Sequence, residues 1–89
     1  MPRWRVRIHR RVRKWLKKHP LYEEDFWEAL KELSCNPFVG EKLKGRCKGF
    51  LKWKKKGSPL RIMYAVDRRD HMIFVEAVGL RENFYEKYC

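Results

Sequence analysis

Alternation of polar and apolar residues opens the chain and predicts a β-strand. Residues 3–8 switch at every position between an arginine and an apolar side chain. This period of two is typical of a strand with one buried face. We expect Trp4, Val6 and Ile8 to face a core, and Arg3, Arg5 and Arg7 to face water or a ligand.

Helical spacing replaces this alternation in the next segment and predicts two helices. The first covers residues 10–19 and ends at Pro20, because a residue before proline is pushed away from the helical conformation. The second begins at the acidic residues 23–25, where negative charge suits the helix dipole, and ends at Asn36-Pro37. The apolar positions are Val12, Trp15 and Leu16 in the first helix, and Phe26, Ala29, Leu30 and Leu33 in the second.

Three further strands are predicted in the second half of the chain. They cover residues 48–56, 60–66 and 72–78, separated by a turn at 57–59 and a hairpin loop at 67–70. The tail, residues 80–89, forms either a short helical turn or an irregular end. The predicted order β-α-α-β-β-β describes one α+β domain, residues 1–89, with two helices packed on one face of a small, mostly antiparallel sheet.

The net charge of the chain indicates which kinds of partner it binds. Lys and Arg number 23 against 11 Asp and Glu, a net charge of +12. Such a charge favours polyanionic partners, among them nucleic acid, an anionic membrane surface or an acidic protein. No apolar run is long enough to span a bilayer, and no apolar segment follows the basic N-terminus as in a secretory signal. We expect a cytoplasmic protein with no membrane partner; an organelle transit peptide is a less favoured alternative, because the basic stretch before Glu23 contains no serine.

The cysteines and histidines indicate neither a disulfide framework nor a metal site. The three cysteines, Cys35, Cys47 and Cys89, are odd in number and contain no CxxC pair, and the histidines are scattered. We therefore expect reduced thiols, with Cys35 partly buried at a helix end, and no metal or other cofactor.

A cationic face is predicted where the second half of the chain folds into a sheet. Alternation in the strand at 48–56 places Lys52 and Lys54 on the same face, and the next strand brings Arg61 to their neighbourhood. Arg81 and Tyr85 follow the last strand. Such cations suit the charge of a pentavalent phosphorane, and a lysine among other cations can act as base towards a ribose 2′-hydroxyl. A tyrosine can stack on a base.

Other interpretations of this face remain open. Lysines and arginines on one face of a sheet most often form a solvated surface, and composition alone indicates a small basic domain that binds nucleic acid. Further cations surround the strand and are candidate RNA-binding residues, namely Lys44, Arg46, Lys48, Lys55 and Lys56.

From Asn36 onward the chain resembles the RelE/ParE superfamily of bacterial and archaeal toxins. The matching segments keep the order and spacing of the family pattern, although each is weak alone. They are Asn36-Pro37, Lys42-Leu43-Lys44-Gly45, Phe50 opening a strand, Leu60-Arg61-Ile62-Met63-Tyr64, and Val78-Gly79-Leu80-Arg81 with Tyr85.

The resemblance implies a microbial-RNase-like α+β fold and a toxin that cuts mRNA on the ribosome by 2′-hydroxyl attack, without a metal. It also implies an acidic antitoxin protein as partner. Transferred residue by residue, it makes Lys52 or Lys54 the base, Arg61 the stabiliser of the transition state and Arg81 the acid or phosphate clamp. Tyr85 would then orient or stack the substrate.

The resemblance leaves alternatives for both site and function. The segment 45–61 is one residue longer than the family pattern, so Lys55 or Lys56 could replace a member of the lysine pair. Tyr88 competes with Tyr85 for the terminal position. ParE-type relatives poison DNA gyrase without cutting RNA, and a basic nucleic-acid-binding module without catalysis is a third possibility.

Overall fold

The period-two segments of the chain pair into a single five-stranded sheet. Its strands are β1 (Arg5–Ile8), β2 (Glu41–Lys42), β3 (Leu51–Lys54), β4 (Arg61–Asp67) and β5 (Met72–Gly79). Their order across the sheet is β1-β5-β4-β3-β2; β1 runs parallel to β5, and all other neighbours are antiparallel. The computed structural model describes residues 4–89, so the predicted outward-facing Arg3 lies outside the described residues.

Two helices, α1 (Arg10–Lys18) and α2 (Glu23–Cys35), form the second layer. His9 caps α1, since its Nδ1 accepts a hydrogen bond from the backbone N–H of Arg11 at 3.0 Å. Three acidic residues occupy the first turn of α2, and after its last turn the Asn36 side chain accepts from the N–H of Phe38 at 3.2 Å. The predicted positions of both helices are confirmed.

The main core lies between the helices and one face of the sheet. Apolar residues of α1 and α2 meet alternate residues of β4 and β5, while the outer strands β1 and β3 supply half-buried side chains. Burial of this layer is the main source of stability, because each fully buried aliphatic side chain contributes about 1.5–3 kcal/mol. Its buried members include Val12, Leu16, Phe26, Ala29, Leu30, Leu33, Ile62, Tyr64, Ile73 and Val75.

Two features of the sheet differ from the prediction. Strand β2 was not expected, because its two residues, Glu41 and Lys42, are both exposed and leave no periodic signal. Strand β3 is shorter than the predicted segment 48–56. Gly49, with φ of 100°, ends a turn before the strand, and the Lys55 N–H donates to the Leu60 carbonyl in the turn after it.

A bulge in β5 sets which residues face the second side of the sheet. Met63 pairs with Ala77 but Tyr64 pairs with Val75, which leaves Glu76 as the extra residue. The alternation therefore shifts, and Ala77 joins Met63 in a smaller cluster on the face away from the helices.

The C-terminal tail covers this smaller cluster. It forms a 3-10 helix, Phe84–Tyr88, so of the two predicted alternatives the short helical turn is correct. We call residues 84–89 the C-terminal strap. Its aromatic side chains pack over Met63 and Ala77. A Cβ added at Gly79 would lie 2.5 Å from Cβ of Phe84, so the strap approaches the sheet where only glycine leaves room.

The expectation of reduced thiols is wrong for Cys47 and Cys89, and for Cys35 only the expected burial is wrong. Cys47 and Cys89 form a disulfide, and Cys35 is free but exposed rather than partly buried. The physical reason for the pairing is the path of the C-terminal strap, which folds back over the sheet and brings Cys89 to the turn before β3. Because 42 residues separate the two cysteines, their spacing in the sequence carries no sign of this contact.

Tyr64 joins the core to the turn that leads from α2 to β2. Its side chain is buried, its O–H donates to the carbonyl of Pro37 at 2.7 Å, and its oxygen accepts from the N–H of Gly40 at 3.0 Å. A Cβ at Gly40 would collide with this hydroxyl. The tyrosine thereby fixes the position of β2, whose first residue, Glu41, follows Gly40 directly.

Replacing Tyr64 by phenylalanine should destabilise the protein with little change in packing volume. The carbonyl of Pro37 and the N–H of Gly40 would each lose a partner. Leaving such groups unpaired costs about 1–3 kcal/mol. Urea unfolding followed by tryptophan fluorescence would measure this loss; a Tyr64→Phe midpoint equal to that of the parent would show that the two bonds contribute nothing.

The same residue makes stability depend on alkaline pH. Burial raises the pKa of Tyr64 to about 12, from 10.0 for a free tyrosine. Its stabilising contribution is therefore complete below the unfolded pKa and falls as the pH rises towards the folded one. Relative to Tyr64→Phe, the parent should lose about 1.4 kcal/mol of unfolding free energy by about pH 11. A difference between the two proteins that stays constant from neutral pH to that value would contradict this assignment.

Candidate functional site

A small cationic cavity lies where β3 ends and β4 begins. Its volume is about 170 Å³. Lys54 and Arg61 are opposite each other in the β3–β4 pair, and such neighbours have Cβ atoms about 4.5–5.5 Å apart. Lys52 lies two residues before Lys54 on the same face. The lining residues are Glu41, Lys52, Trp53, Lys54, Arg61 and Glu82, so three of the five predicted catalytic residues meet here.

Lys52 is the most enclosed ammonium group of the cavity. Its side chain is 20% exposed, and its Nζ lies 3.7 Å from Oε2 of Glu41, the residue opposite it in the β2–β3 pair. The same Nζ lies 5.4 Å from the centre of the Tyr85 ring. The cavity thus contains a lysine that contacts both a carboxylate and an aromatic ring.

Two carboxylates of the cavity, Glu41 and Glu82, are absent from the predicted site. Both side chains are exposed, and neither belongs to a periodic pattern in the sequence. The pairing of β2 with β3 places Glu41 there, and the segment after β5 places Glu82. The one signal for Glu41 was its position directly before the Lys42-Leu43-Lys44-Gly45 motif.

Arg61 holds the segment that follows β5. Its Nη1 donates to the carbonyl oxygen of Leu80 at 2.7 Å and to that of Pro59 at 2.9 Å. Within residues 4–89 its Nε and Nη2 donate to no other protein group, so both are available to an anion. Arg61 therefore positions the start of the Arg81-Glu82 segment and can still contact a phosphate.

Arg81 does not reach the cavity in this structure. It is exposed and lines a neighbouring groove together with Trp15 and His19, while the adjacent Glu82 lines the cavity itself. In the groove the rings of Trp15 and His19 are stacked with their centres 4.0 Å apart. The segment 80–82 thus separates the two depressions, and Arg81 faces the larger one.

The two competing tyrosines of the C-terminal strap point to different places. Tyr85 lies by Lys52, whereas the guanidinium of Arg11 lies 4.5 Å from the centre of the Tyr88 ring, at the start of α1. Of the two, Tyr85 is the one beside the cavity.

The candidate RNA-binding cations fall into two groups. Lys44 and Lys48 line a groove of about 570 Å³ with an apolar floor, and Arg46 and Lys56 are exposed. Lys55 instead turns towards α2. Its Nζ lies 3.5 Å from Glu32 and 3.9 Å from Glu28, and its side chain is only 13% exposed. An RNA contact by Lys55 would therefore require that both ion pairs break.

Two further properties of the described chain bear on the site. Across residues 4–89, no three side chains of His, Cys, Asp or Glu come together as a possible metal site. In the same part of the chain, no helix has the length and apolar character needed to cross a membrane.

Several solved structures with this fold are toxins, alone or bound to their antitoxins. A mutant of the E. coli toxin RelE in the free state is 26% identical with a TM-score of 0.75, and the match covers 98% of this chain and 92% of that one. The Mycobacterium tuberculosis toxin–antitoxin complex RelBE2 is 23% identical with a TM-score of 0.76, covering 90% and 100%. The archaeal RelE–RelB complex of Pyrococcus horikoshii is 21% identical with a TM-score of 0.67, covering 91% and 98%.

The class of this protein is therefore a toxin with a RelE-like α+β fold, as the sequence motifs implied. A family model described as ParE-like toxin of type II bacterial toxin–antitoxin systems matches residues 6–88. The chain belongs to this family. No curated protein sequence matches the chain.

Proposed function

We propose that this toxin is an endoribonuclease that cleaves mRNA on the ribosome by attack of a ribose 2′-hydroxyl, without a metal. The observation that supports this most directly is the convergence of Lys52, Lys54 and Arg61 on one cavity beside Tyr85. Three cations in a partly enclosed site can stabilise the charge that develops on a phosphate as it becomes pentavalent. The net charge of +12 favours binding to RNA.

In the proposed reaction the 2′-oxygen forms a bond to phosphorus and the bond from phosphorus to the 5′-oxygen breaks. The products are a 2′,3′-cyclic phosphate and a 5′-hydroxyl. A base must accept the proton of the 2′-hydroxyl, and an acid must supply one to the leaving 5′-oxygen. Arg81, which lines the neighbouring groove in this structure, would turn towards the cavity to act on the leaving oxygen as acid or clamp, and Arg61 would contact the equatorial oxygens through its Nε and Nη2.

The two lysines of the cavity are assigned different roles. Nζ of Lys52 lies 3.7 Å from Glu41, whereas within residues 4–89 Lys54 has no carboxylate within 4.0 Å. We assign Lys54 as the base, and Lys52 as a source of positive charge. Tyr85, beside Lys52, would stack on a base or orient the reacting ribose.

A cleavage assay with and without ribosomes tests the proposal. Purified toxin, a defined mRNA and ribosomes are incubated, and new RNA ends are mapped. We expect cuts only when ribosomes are present, and their loss in Lys54→Ala but not in the control Lys31→Ala, which removes an exposed lysine of α2. Cuts that Lys54→Ala leaves unchanged would remove this lysine from the mechanism.

Inhibition of DNA gyrase is the second candidate function. Two observations favour it: the matching family is described as ParE-like, and Arg81 lies outside the cavity. A supercoiling assay with purified gyrase separates the candidates. Inhibition of gyrase, together with no RNA cleavage on ribosomes, would assign the chain to this alternative.

We infer an acidic antitoxin protein as partner. The M. tuberculosis and P. horikoshii relatives are toxin–antitoxin complexes. Large apolar side chains are exposed in this chain of net charge +12, and the guanidinium of Arg68 lies 4.6 Å from the centre of the Phe38 ring; these features suit an amphipathic acidic segment. These exposed apolar residues are Leu21, Trp27, Phe38 and Val39.

Co-expression tests the partner. If the small open reading frame next to the toxin gene encodes the antitoxin, its expression should restore growth and its product should copurify with the toxin. Unchanged toxicity, with no copurifying protein, would contradict this assignment of the partner.

A further inference from the structure

The aromatic side chains that hold the C-terminal strap on the sheet are half-buried and not fully buried. Its 3-10 helix has five residues, none of them buried, and such short helical segments are marginal without tertiary support. Phe84 rests on Gly79, and Tyr88 receives a cation–π contact from Arg11 at 4.5 Å. A cation–π contact is weak where it is open to solvent.

A disulfide bond adds a covalent connection to these non-covalent contacts. The disulfide joins Cys89, the last residue of the strap, to Cys47 in the turn before β3, with Cα atoms 5.4 Å apart. Cys89 Sγ also lies 3.3 Å from the carbonyl oxygen of Tyr85. The disulfide thus anchors the end of the strap four residues after Tyr85, whose ring lies beside Lys52.

We infer that the Cys47–Cys89 disulfide is a redox-sensitive latch that keeps the C-terminal strap closed and thereby holds Tyr85 beside Lys52. With the bond formed, the strap covers Met63 and Ala77 and keeps the Tyr85 ring beside Nζ of Lys52. With the bond reduced, the strap opens while the sheet and helices stay folded, because the main core lies on the opposite face and contains no residue of the strap. The effect of opening on RNA cleavage rests on the proposed function, but the opening itself does not.

Reduction requires a thiol donor, for which a dithiol is the appropriate class of reagent. Cys47 is buried whereas Cys89 is half-buried, so a thiolate reaches the bond from the Cys89 side. It attacks the sulfur of Cys89 and releases the thiolate of Cys47; the second thiol of the reagent then displaces Cys89. Two electrons and two protons pass to the protein, which ends with two thiols, and the dithiol ends as a cyclic disulfide.

Hydrogen exchange of the full chain tests the latch without reference to activity. The N–H groups of Phe84, Glu86 and Cys89 donate to the carbonyls of Arg81, Asn83 and Glu86 respectively, which lie in the strap or in the three residues before it. Reduction by dithiothreitol should speed their exchange at least about tenfold while the amides of β4 and β5 keep their rates. Equal rates for the strap in both redox forms would overturn the latch. Equal acceleration in β4 and β5 would overturn it too, since the bond would then stabilise the whole fold.

A cysteine variant separates reduction of this bond from other effects of the reagent. Cys89→Ser should show the fast exchange of the strap without dithiothreitol and no response to it. Cys35→Ser, which removes the exposed free thiol, should behave as the parent. A Cys89→Ser protein with the slow exchange of the disulfide form would contradict the inference.

RNA cleavage provides the functional readout. The disulfide form should cleave about tenfold faster than the reduced form, the contribution of one stacking aromatic. In Tyr85→Ala the two redox forms should cleave at the same rate, because the group that the latch positions is absent. A redox response that persists in Tyr85→Ala would overturn the link to Tyr85. If no form cleaves RNA, the proposed function fails, and the exchange rates still decide the latch.

Discussion

Replacement of Arg81 by alanine should lower the rate of RNA cleavage by about 10²–10³-fold, the usual loss when one donor to a transition-state charge is removed. Binding of uncleaved RNA should change little, because Arg81 is one of 23 Lys and Arg residues. Stability should also be unchanged, since the side chain is exposed and makes no hydrogen bond or ion pair to the rest of residues 4–89. Single-turnover cleavage on ribosomes, alongside RNA binding and thermal unfolding, measures all three.

Arg69→Ala is the matched control for this experiment. Arg69 is exposed in the hairpin between β4 and β5, at the opposite end of these strands from Arg81, and its loss changes net charge equally. It should leave cleavage within about twofold of the parent. If Arg81→Ala cleaves as fast as Arg69→Ala, Arg81 acts neither as acid nor as clamp.

Replacement of Arg61 by alanine should reduce both cleavage and stability. The variant loses the bonds of Nη1 to the Leu80 and Pro59 carbonyls, a loss of about 1–3 kcal/mol for a charged donor. Cleavage should fall by about 10²–10³-fold, because the contact to phosphate is lost and the segment carrying Arg81 is released at the same time. Urea unfolding and single-turnover cleavage report the two effects separately.

Arg61→Lys distinguishes the two roles of this residue. A lysine keeps the charge but has no planar fork, so it cannot bond a carbonyl and a phosphate as the guanidinium can. It should recover little of the cleavage rate that is lost in Arg61→Ala. A destabilised Arg61→Ala protein that cleaves at the parental rate would make Arg61 a purely structural residue.

The fold was predictable because its signals are local. Arg5 and Arg7 alternate with Val6 and Ile8 within a single strand, and Pro20 marks the end of α1 within one residue. Strand alternation and a proline at a helix end can be recognised from neighbouring residues alone, without knowledge of contacts between distant parts of the chain. Strand β2 was not predicted, because its two exposed residues show no alternation of polar and apolar side chains. Its strand conformation is defined by its pairing with β3.

The candidate site was predictable in its strand residues and not in its loop residues. Alternation alone places Lys52 and Lys54 on one face, and the observed register sets Lys54 opposite Arg61, whereas the alternative candidate Lys55 turns towards α2. The position of Arg81 depends on the path of the chain after β5, which no local pattern encodes.

The same limit explains the missed disulfide and the missed carboxylates. Cys47 and Cys89 meet because the C-terminal strap crosses the sheet, a contact between residues 42 positions apart. Glu41 reaches Lys52 through the pairing of β2 with β3, and Glu82 reaches the cavity through the segment that Arg61 holds. These contacts are properties of the tertiary fold.

Analysis of the RNA ends produced on ribosomes is the most direct measurement of the proposed chemistry. Mass spectrometry of the fragments from a defined mRNA should find a 2′,3′-cyclic phosphate on the upstream fragment and a 5′-hydroxyl on the downstream one. Both ends should disappear in Arg81→Ala and persist in Arg69→Ala. A 3′-hydroxyl paired with a 5′-phosphate would require attack by water instead of the ribose, and no cleavage at all would contradict an endoribonuclease.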